Sequence, residues 1–417
     1  MSSTQMQKLE NGKVHRWYRF VLAYPDHFVR NTLSRFRLST EDLVLDPFVG
    51  SGTTLVESKL GGIPSIGIDA HPFFVFATRV KTTWNVNPVD VQRERRAVLD
   101  DLSDSIVGRG PLELTRREVE KAASEVVYPG LITPEYVSPL PMAKSLHLRD
   151  RVDEVEDHQI RDLFRLALAS TFVKSANVDF GPEIGLKEPR VDAPVLKLFS
   201  EATAGMADDL GSVAGRRSTE SHVSIGDART MDGIEDETVA AVITSPPYPV
   251  DKDYTRQIRL ESALLGFVTS RADSRQVKER MVRASTRQIY TGDTDQEEVR
   301  GLPAVTSLME EIVRRAKRDG DTSGFVKQYP KLVGEYFGGM KRHLEILYQK
   351  IRRDGNAAYV VGDSRSFKMV HIETAKILAE IAERVGFKVE GIELWRDRRS
   401  TAHSKPLPEN ILLLRKQ

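Results

Sequence analysis

Apolar positions along the chain fall into two alternating rhythms. Leu43-Val44-Leu45 is a short apolar run that ends on Asp46; a glycine-rich turn follows, and Thr54 to Leu60 reads as a helix closed by Gly61-Gly62. Ile63 to Ile68 is a second apolar run, again ending on an acid, Asp69. A buried run, a turn, a helix and another buried run make the βαβ rhythm of a parallel sheet. Upstream, residues from about 14 to 38 read as one helix, with Phe20, Tyr24, Phe28 and Leu33 interleaved with charge.

The rhythm stops between about Val91 and Arg217, where the pattern is charged and helical, as in the series Ile160, Leu163, Leu166, Leu168 and Phe172. Prolines at 129, 134, 139 and 141 are expected to break it. Sheet-like runs return at Val223-Ser224-Ile225 and at Ala240 to Thr244, and a second helical interval covers about Arg259 to Arg353. Ala357 to Val361 is another strand. Behind it, Ile377, Leu378, Ile381 and Val385 share one face of a helix that Gly386 caps. Lys388 to Trp395 and Asn410 to Leu414 form a closing pair of strands. The pattern therefore predicts an α/β chain. It divides into an N-terminal helix and first half-sheet (14–90), a helical insertion (91–217), two further strands (218–258), a second helical insertion (259–353) and a closing half-sheet (354–417).

Length and composition change this picture little. A chain of 417 residues can bury a large core, and 40% hydrophobic with 29% charged residues is ordinary for a globular protein. No apolar run approaches the length of a membrane span, and Met1 to Lys13 lacks the apolar stretch of a secretion signal. A cytoplasmic location is the expectation. The 61 basic and 60 acidic residues leave a formal charge of +1, so any contact with a polyanion needs a local basic surface. The chain has no cysteine, which excludes disulfides, thiolate metal sites and cysteine nucleophiles. The nine histidines show no metal-ligand spacing, and no metal is expected.

Two stretches carry candidate chemistry. In Asp46-Pro47-Phe48-Val49-Gly50-Ser51-Gly52-Thr53-Thr54, a strand end passes through a glycine turn into a helix, which brings backbone N–H groups close to a ligand. Asp69, at the next strand end, stands where an acid commonly holds ribose hydroxyls, and the pair points to a nucleoside-containing cofactor. His71 reads as flanking the same pocket. In Thr244-Ser245-Pro246-Pro247-Tyr248, two prolines at a strand end remove two backbone donors and free carbonyls to accept. An amino group entering there meets the Ser245 hydroxyl and a proline carbonyl, and Tyr248 offers a flat face to a base. A tight turn and a rigid proline loop are the plainer readings of the two stretches. Arg256 and Arg259, just beyond, read equally as phosphate contacts or as a solvated helix start. The basic runs Arg314 to Arg318 and Arg396 to Arg399 read as solvated surface.

Together, Asp46 to Thr54 and Thr244 to Tyr248 resemble the cofactor and catalytic motifs of the DNA amino-methyltransferases. Further likenesses are Gly226-Asp227-Ala228, the segment Trp17 to Phe36 with Tyr24-Pro25 and Phe28, Tyr359 to Ser364 and Glu409 to Leu412. The resemblance covers about half the chain and leaves both helical intervals unmatched. It implies a mostly parallel seven-stranded Rossmann-like sheet with one antiparallel strand. It also implies S-adenosylmethionine over Gly50, Ser51, Gly52 and Thr53, with Asp46, Phe48 and Tyr24 beside it, ribose on Asp69 and adenine near Asp227. The implied substrate is double-stranded DNA with its target base flipped out, and the implied partner a cognate restriction system. Serine at 245, where adenine enzymes more often carry Asp or Asn, points to cytosine-N4. Adenine-N6 and an RNA guanine amino-methyltransferase are the alternatives, with a silent nucleic-acid-binding scaffold as the alternative of another class. Many cytosine-N4 enzymes place the Ser-Pro-Pro-Tyr motif first; here the glycine loop leads.

Overall fold

The computed structural model describes residues 12–104, 116–125, 132, 135–179, 185–216, 218–398 and 406–417. Its centre is a seven-stranded sheet in the order β3-β2-β1-β4-β5-β7-β6. The strands are β1 (Val44–Asp46), β2 (Ser65–Asp69), β3 (Ser221–Ile225), β4 (Val239–Thr244), β5 (Ile351–Gly362), β6 (Lys388–Arg398) and β7 (Leu407–Arg415). Strands β3 to β5 pair in parallel, and β7 runs antiparallel between β5 and β6. This is the seven-stranded, mostly parallel sheet that the resemblance implied.

Alternation along β5 builds both faces of the core. Ala357, Tyr359 and Val361 pack on the side of the helices Gly324–Lys350 and Thr374–Val385. Ala358 and Val360 pack on the other, with Phe28, Val29 and Leu33 of the helix Asp26–Arg35. Parallel pairing sets the carboxyl ends of β1, β2 and β4 side by side, so Asp46, Asp69 and Thr244 lie along one edge. That edge is where open parallel sheets place ligands.

Three expectations need correction. Residues 14–38 are not one helix: a short 3-10 turn at His15–Trp17 is followed by irregular chain, and the helix starts at Asp26. Pro25 is the cause, since it disfavours helical geometry in the residue before it and is itself extended at φ −75°, ψ 153°. Pro139 and Pro141 begin the helix Pro139–Asp153 instead of breaking one, because a first turn needs no donor at those positions; Pro129 and Pro134 lie outside the described residues. β5 begins at Ile351, inside what reads as the second helical interval.

The first helical interval is not a detached unit. Its helices His158–Ser175 and Val195–Ser212 share one core with Phe73 and Phe76 of the helix Pro72–Thr82, which follows β2. Asp209 accepts hydrogen bonds from Val14 N and Trp17 Nε1, both at 3.0 Å, fixing that core to the N-terminal segment. Nearby, Arg30 bonds Asp26 and Glu57 at 3.0 Å each, and Glu57 meets His15 at 2.6 Å. His15, Asp26 and Glu57 have the mutual spacing of a metal-binding group, with the Arg30 guanidinium bonded to both carboxylates.

Candidate active site

The glycine loop is held from below. Lys81 Nζ donates to Ser51 O at 2.7 Å and Thr78 Oγ1 to Gly50 O at 3.0 Å, both from the helix Pro72–Thr82. Gly50 and Gly52 have positive φ, +49° and +82°, which favours glycine for different reasons. A Cβ on Gly52 would lie 2.7 Å from Thr78 Oγ1, inside the packed helix. A Cβ on Gly50 would meet nothing closer than Phe48 O at 3.9 Å, so the loop leaves open space there.

Asp69 closes the loop from β2. One carboxylate oxygen accepts from Gly50 N at 2.9 Å and the other from His71 N at 2.8 Å. Burial pushes this carboxyl up to about 7, against the opposing pull of those two N–H donors. Each oxygen keeps a lone pair for a further donor such as a hydroxyl.

Asp46 lies wholly within the protein and joins β1 to β4. It accepts from Thr244 Oγ1 at 2.6 Å, Tyr24 OH at 2.6 Å and Phe48 N at 3.1 Å. Thr54 meets the Tyr24 hydroxyl and donates to Ile243 O at 2.9 Å. Asp46, Tyr24 and Thr54 thus direct their polar atoms at the protein and brace the two motifs against each other. Burial raises the Asp46 carboxyl above the usual range.

In the proline turn, the Ser245 hydroxyl donates to Val360 O of β5 at 3.0 Å. The same oxygen lies 3.4 Å from Tyr248 OH, and with its proton committed to Val360 it keeps a lone pair for an incoming donor. Tyr248 N donates to Tyr254 OH at 3.1 Å. The Tyr248 ring packs close to Gly362, where a Cβ would come within 2.8 Å of it, and the Arg398 guanidinium lies 5.5 Å from its centroid.

A family profile described as DNA methylase matches residues 10–79, the stretch that holds the glycine loop and Asp69. Over 87 residues the chain is 38% identical to the type II methyltransferase M.BsoBI of Geobacillus stearothermophilus, covering 20% of this chain and 17% of that protein. Over 398 residues it is 22% identical to the type II methyltransferase M.AvaI of Nostoc sp., covering 91% of this chain and 80% of that one. A 62-residue stretch is 44% identical to the type II methyltransferase M.MjaII of Methanocaldococcus jannaschii, covering 15% of this chain and 11% of the relative. Residues 10–79 thus carry a DNA methylase profile, and over most of its length the chain is similar to type II methyltransferases.

Methyltransferases of this family use S-adenosylmethionine, and the residues implied for it divide by geometry. Gly50 and Asp69 border the open space at the sheet edge; Ser51 and Thr53 are buried in the turn, and the Phe48 ring packs 5.0 Å from that of His343. Asp227, after β3, is gripped by Arg229, whose guanidinium meets both carboxylate oxygens, the closest at 2.6 Å. Arg229 also pairs with Asp295 at 2.6 Å, and Asp295 with Arg342 at 2.7 Å. Sequence reading missed this chain of alternating charges. It also missed His343, whose ring nitrogens bond Ala228 O at 2.8 Å and Tyr359 OH at 2.7 Å and whose pKa burial lowers to about 4. A lone histidine and paired charges far apart in sequence carry no local signal. Of the basic runs, Arg314, Arg315 and Arg318 are ion-paired to neighbouring acids. Among the described residues, no helix is long and apolar enough to cross a membrane.

Proposed function

We propose that this methyltransferase modifies the exocyclic N4 amino group of cytosine in double-stranded DNA, as the modifying half of a restriction–modification system. The observation that carries the proposal is the Asp46–Thr244 hydrogen bond, which sets the glycine loop and the Ser-Pro-Pro-Tyr turn at adjacent strand ends. Gly50, Asp69 and the backbone of Ser51 to Thr53 would hold the cofactor, with Asp227 on the adenine side. The open space over Gly50 and the spare lone pairs of Asp69 fit such a ligand. S-adenosylmethionine, when bound, supplies the methyl group as an electrophile.

An exocyclic amine is a weak nucleophile because its lone pair is delocalised into the ring. Ser245 Oγ and the Pro246 carbonyl accept the amine's N–H groups, favour a more tetrahedral nitrogen and stabilise its growing positive charge. Tyr248 supplies the aromatic surface beside an extruded base, and Arg256 and Arg259 hold its flanking phosphates. The type II methyltransferase relatives support DNA as the substrate. The choice of cytosine rests on Ser245. Mass analysis of nucleosides from DNA treated with purified enzyme and cofactor tests it: N4-methylcytosine is expected, and N6-methyladenine alone would overturn the base assignment.

A further inference from the structure

A cavity of about 470 Å³ lies beside the catalytic turn, lined by Arg256, Arg259, Arg271, Arg275, Lys278 and Arg287. So many cations in one concavity contrast with a formal charge of +1 for the whole chain. Lys278 pairs with Asp253 at 2.6 Å, and Arg275 with Glu279 at 2.8 Å. Among the described residues, Arg256, Arg271 and Arg287 have no carboxylate partner. Arg259 stacks 4.0 Å from the Tyr136 centroid, and its buried Nε and Nη2 meet no acceptor.

Two neutral groups on the same wall point the same way. Ser262 is 1% exposed, and its hydroxyl has no hydrogen-bond partner. His71 accepts from Phe73 N through Nδ1 at 3.2 Å, which leaves Nε2 to carry the proton of the neutral ring. Asp253, which also lines the cavity, is taken up by Lys278, so Arg256, Arg259, Arg271, Arg287, Ser262 and His71 leave a surplus of donors, the complement of an oxyanion. Its position says which one. Tyr254, at the head of the segment carrying Arg256 and Arg259, bonds Tyr248 N at 3.1 Å. On the other side, His71 N bonds Asp69 at 2.8 Å.

We propose that this cavity is a cradle for consecutive phosphodiesters of the strand that carries the target base, with Arg271 and Arg287 as DNA contacts beyond Arg256 and Arg259. The proposal rests on the DNA-methyltransferase reading above. The test is equilibrium binding of duplex DNA over a range of salt, for wild type and for the Arg271→Gln, Arg287→Gln double variant. Both side chains are exposed and unpaired, so the fold should be kept and cofactor affinity unchanged. The expected result is weaker DNA binding and a slope of log affinity against log salt shallower by about 1–2, since each phosphate contact contributes about 0.9. Uncharged methylphosphonate links flanking the target base should weaken wild-type binding more than that of the variant. An unchanged slope, or DNA binding unaffected while inorganic phosphate competes for the cavity at low concentration, overturns the cradle alone. A wild type that neither binds nor methylates duplex DNA overturns the parent reading with it.

Discussion

Thr244 Oγ1 lies 2.6 Å from Asp46 Oδ1, and this one bond ties the last residue of β4 to the last residue of β1. The residue after Thr244 opens the catalytic turn, and the residues after Asp46 form the glycine loop. Relative placement of the two halves of the site therefore depends on a buried carboxylate that also anchors Tyr24 and Phe48 N. Asp46→Ala should leave the Thr244 hydroxyl and Phe48 N without this acceptor and Tyr24 with Thr54 alone, and cost roughly 3 kcal/mol of stability. A double-mutant cycle with Thr244→Val should show a coupling of about 1 kcal/mol in denaturant unfolding. Strict additivity would mean that the bond positions nothing.

The two glycines should separate fold from ligand. Gly52→Ala drives a Cβ into Thr78 at positive φ, and should lower stability by about 1–3 kcal/mol, read as melting temperature without cofactor. A bulky residue at Gly50 points into open space; it should cost about 1–2 kcal/mol for the left-handed backbone yet remove measurable cofactor binding in calorimetry.

Cofactor affinity should depend on pH through Asp69. Its carboxyl titrates near 7, and only the ionised form offers both oxygens to ribose hydroxyls. Binding should be full above that value and weaken by up to tenfold per pH unit below it, by proton linkage. Asp69→Asn should bind weakly with a flat profile between pH 5.5 and 8.5. A wild-type profile equally flat would remove the acid from the ribose role.

Ser245→Ala and Tyr248→Ala should spare cofactor affinity and lower methyl transfer steeply. The tyrosine's stacking is worth about 1–3 kcal/mol per base, so its loss should also weaken DNA binding by about 5- to 150-fold. Tyr248→Phe keeps the ring against Gly362 and should recover most of that binding. Wild-type transfer rates in both alanine variants would reduce the turn to a rigid loop.

Strand ends were the most legible parts of the sequence. β1, β2 and β4 are short apolar runs stopped by an acid or by Thr244-Ser245-Pro246-Pro247, so their edge and its chemistry could be read locally. Helical phase was harder. The apolar spacing of Phe20, Tyr24 and Phe28 suits a helix, yet Pro25 overrides it, and Tyr24 reaches Asp46 from irregular chain. Asp46 and Asp69 looked alike as strand-end acids, although one braces two strands and the other borders open space. The Asp227–Arg229–Asp295–Arg342 chain depends on how the interval after β4 folds back against the loop that follows β3, which no local pattern reports.

The helix Asp26–Arg35, early in the chain, lies against the late strand β6: Phe28 and Trp395 rings are 5.7 Å apart, and Arg35 pairs with Glu393 at 2.7 Å. Segments from the two ends of the sequence order thus pack on one face of the same sheet. The strand pairings themselves do not depend on which segment is made first, so segments joined in another order could build the same sheet. Whether the glycine loop or the Ser-Pro-Pro-Tyr turn leads along the chain, β1 can still lie beside β4, and the two orders are one architecture with different starting points.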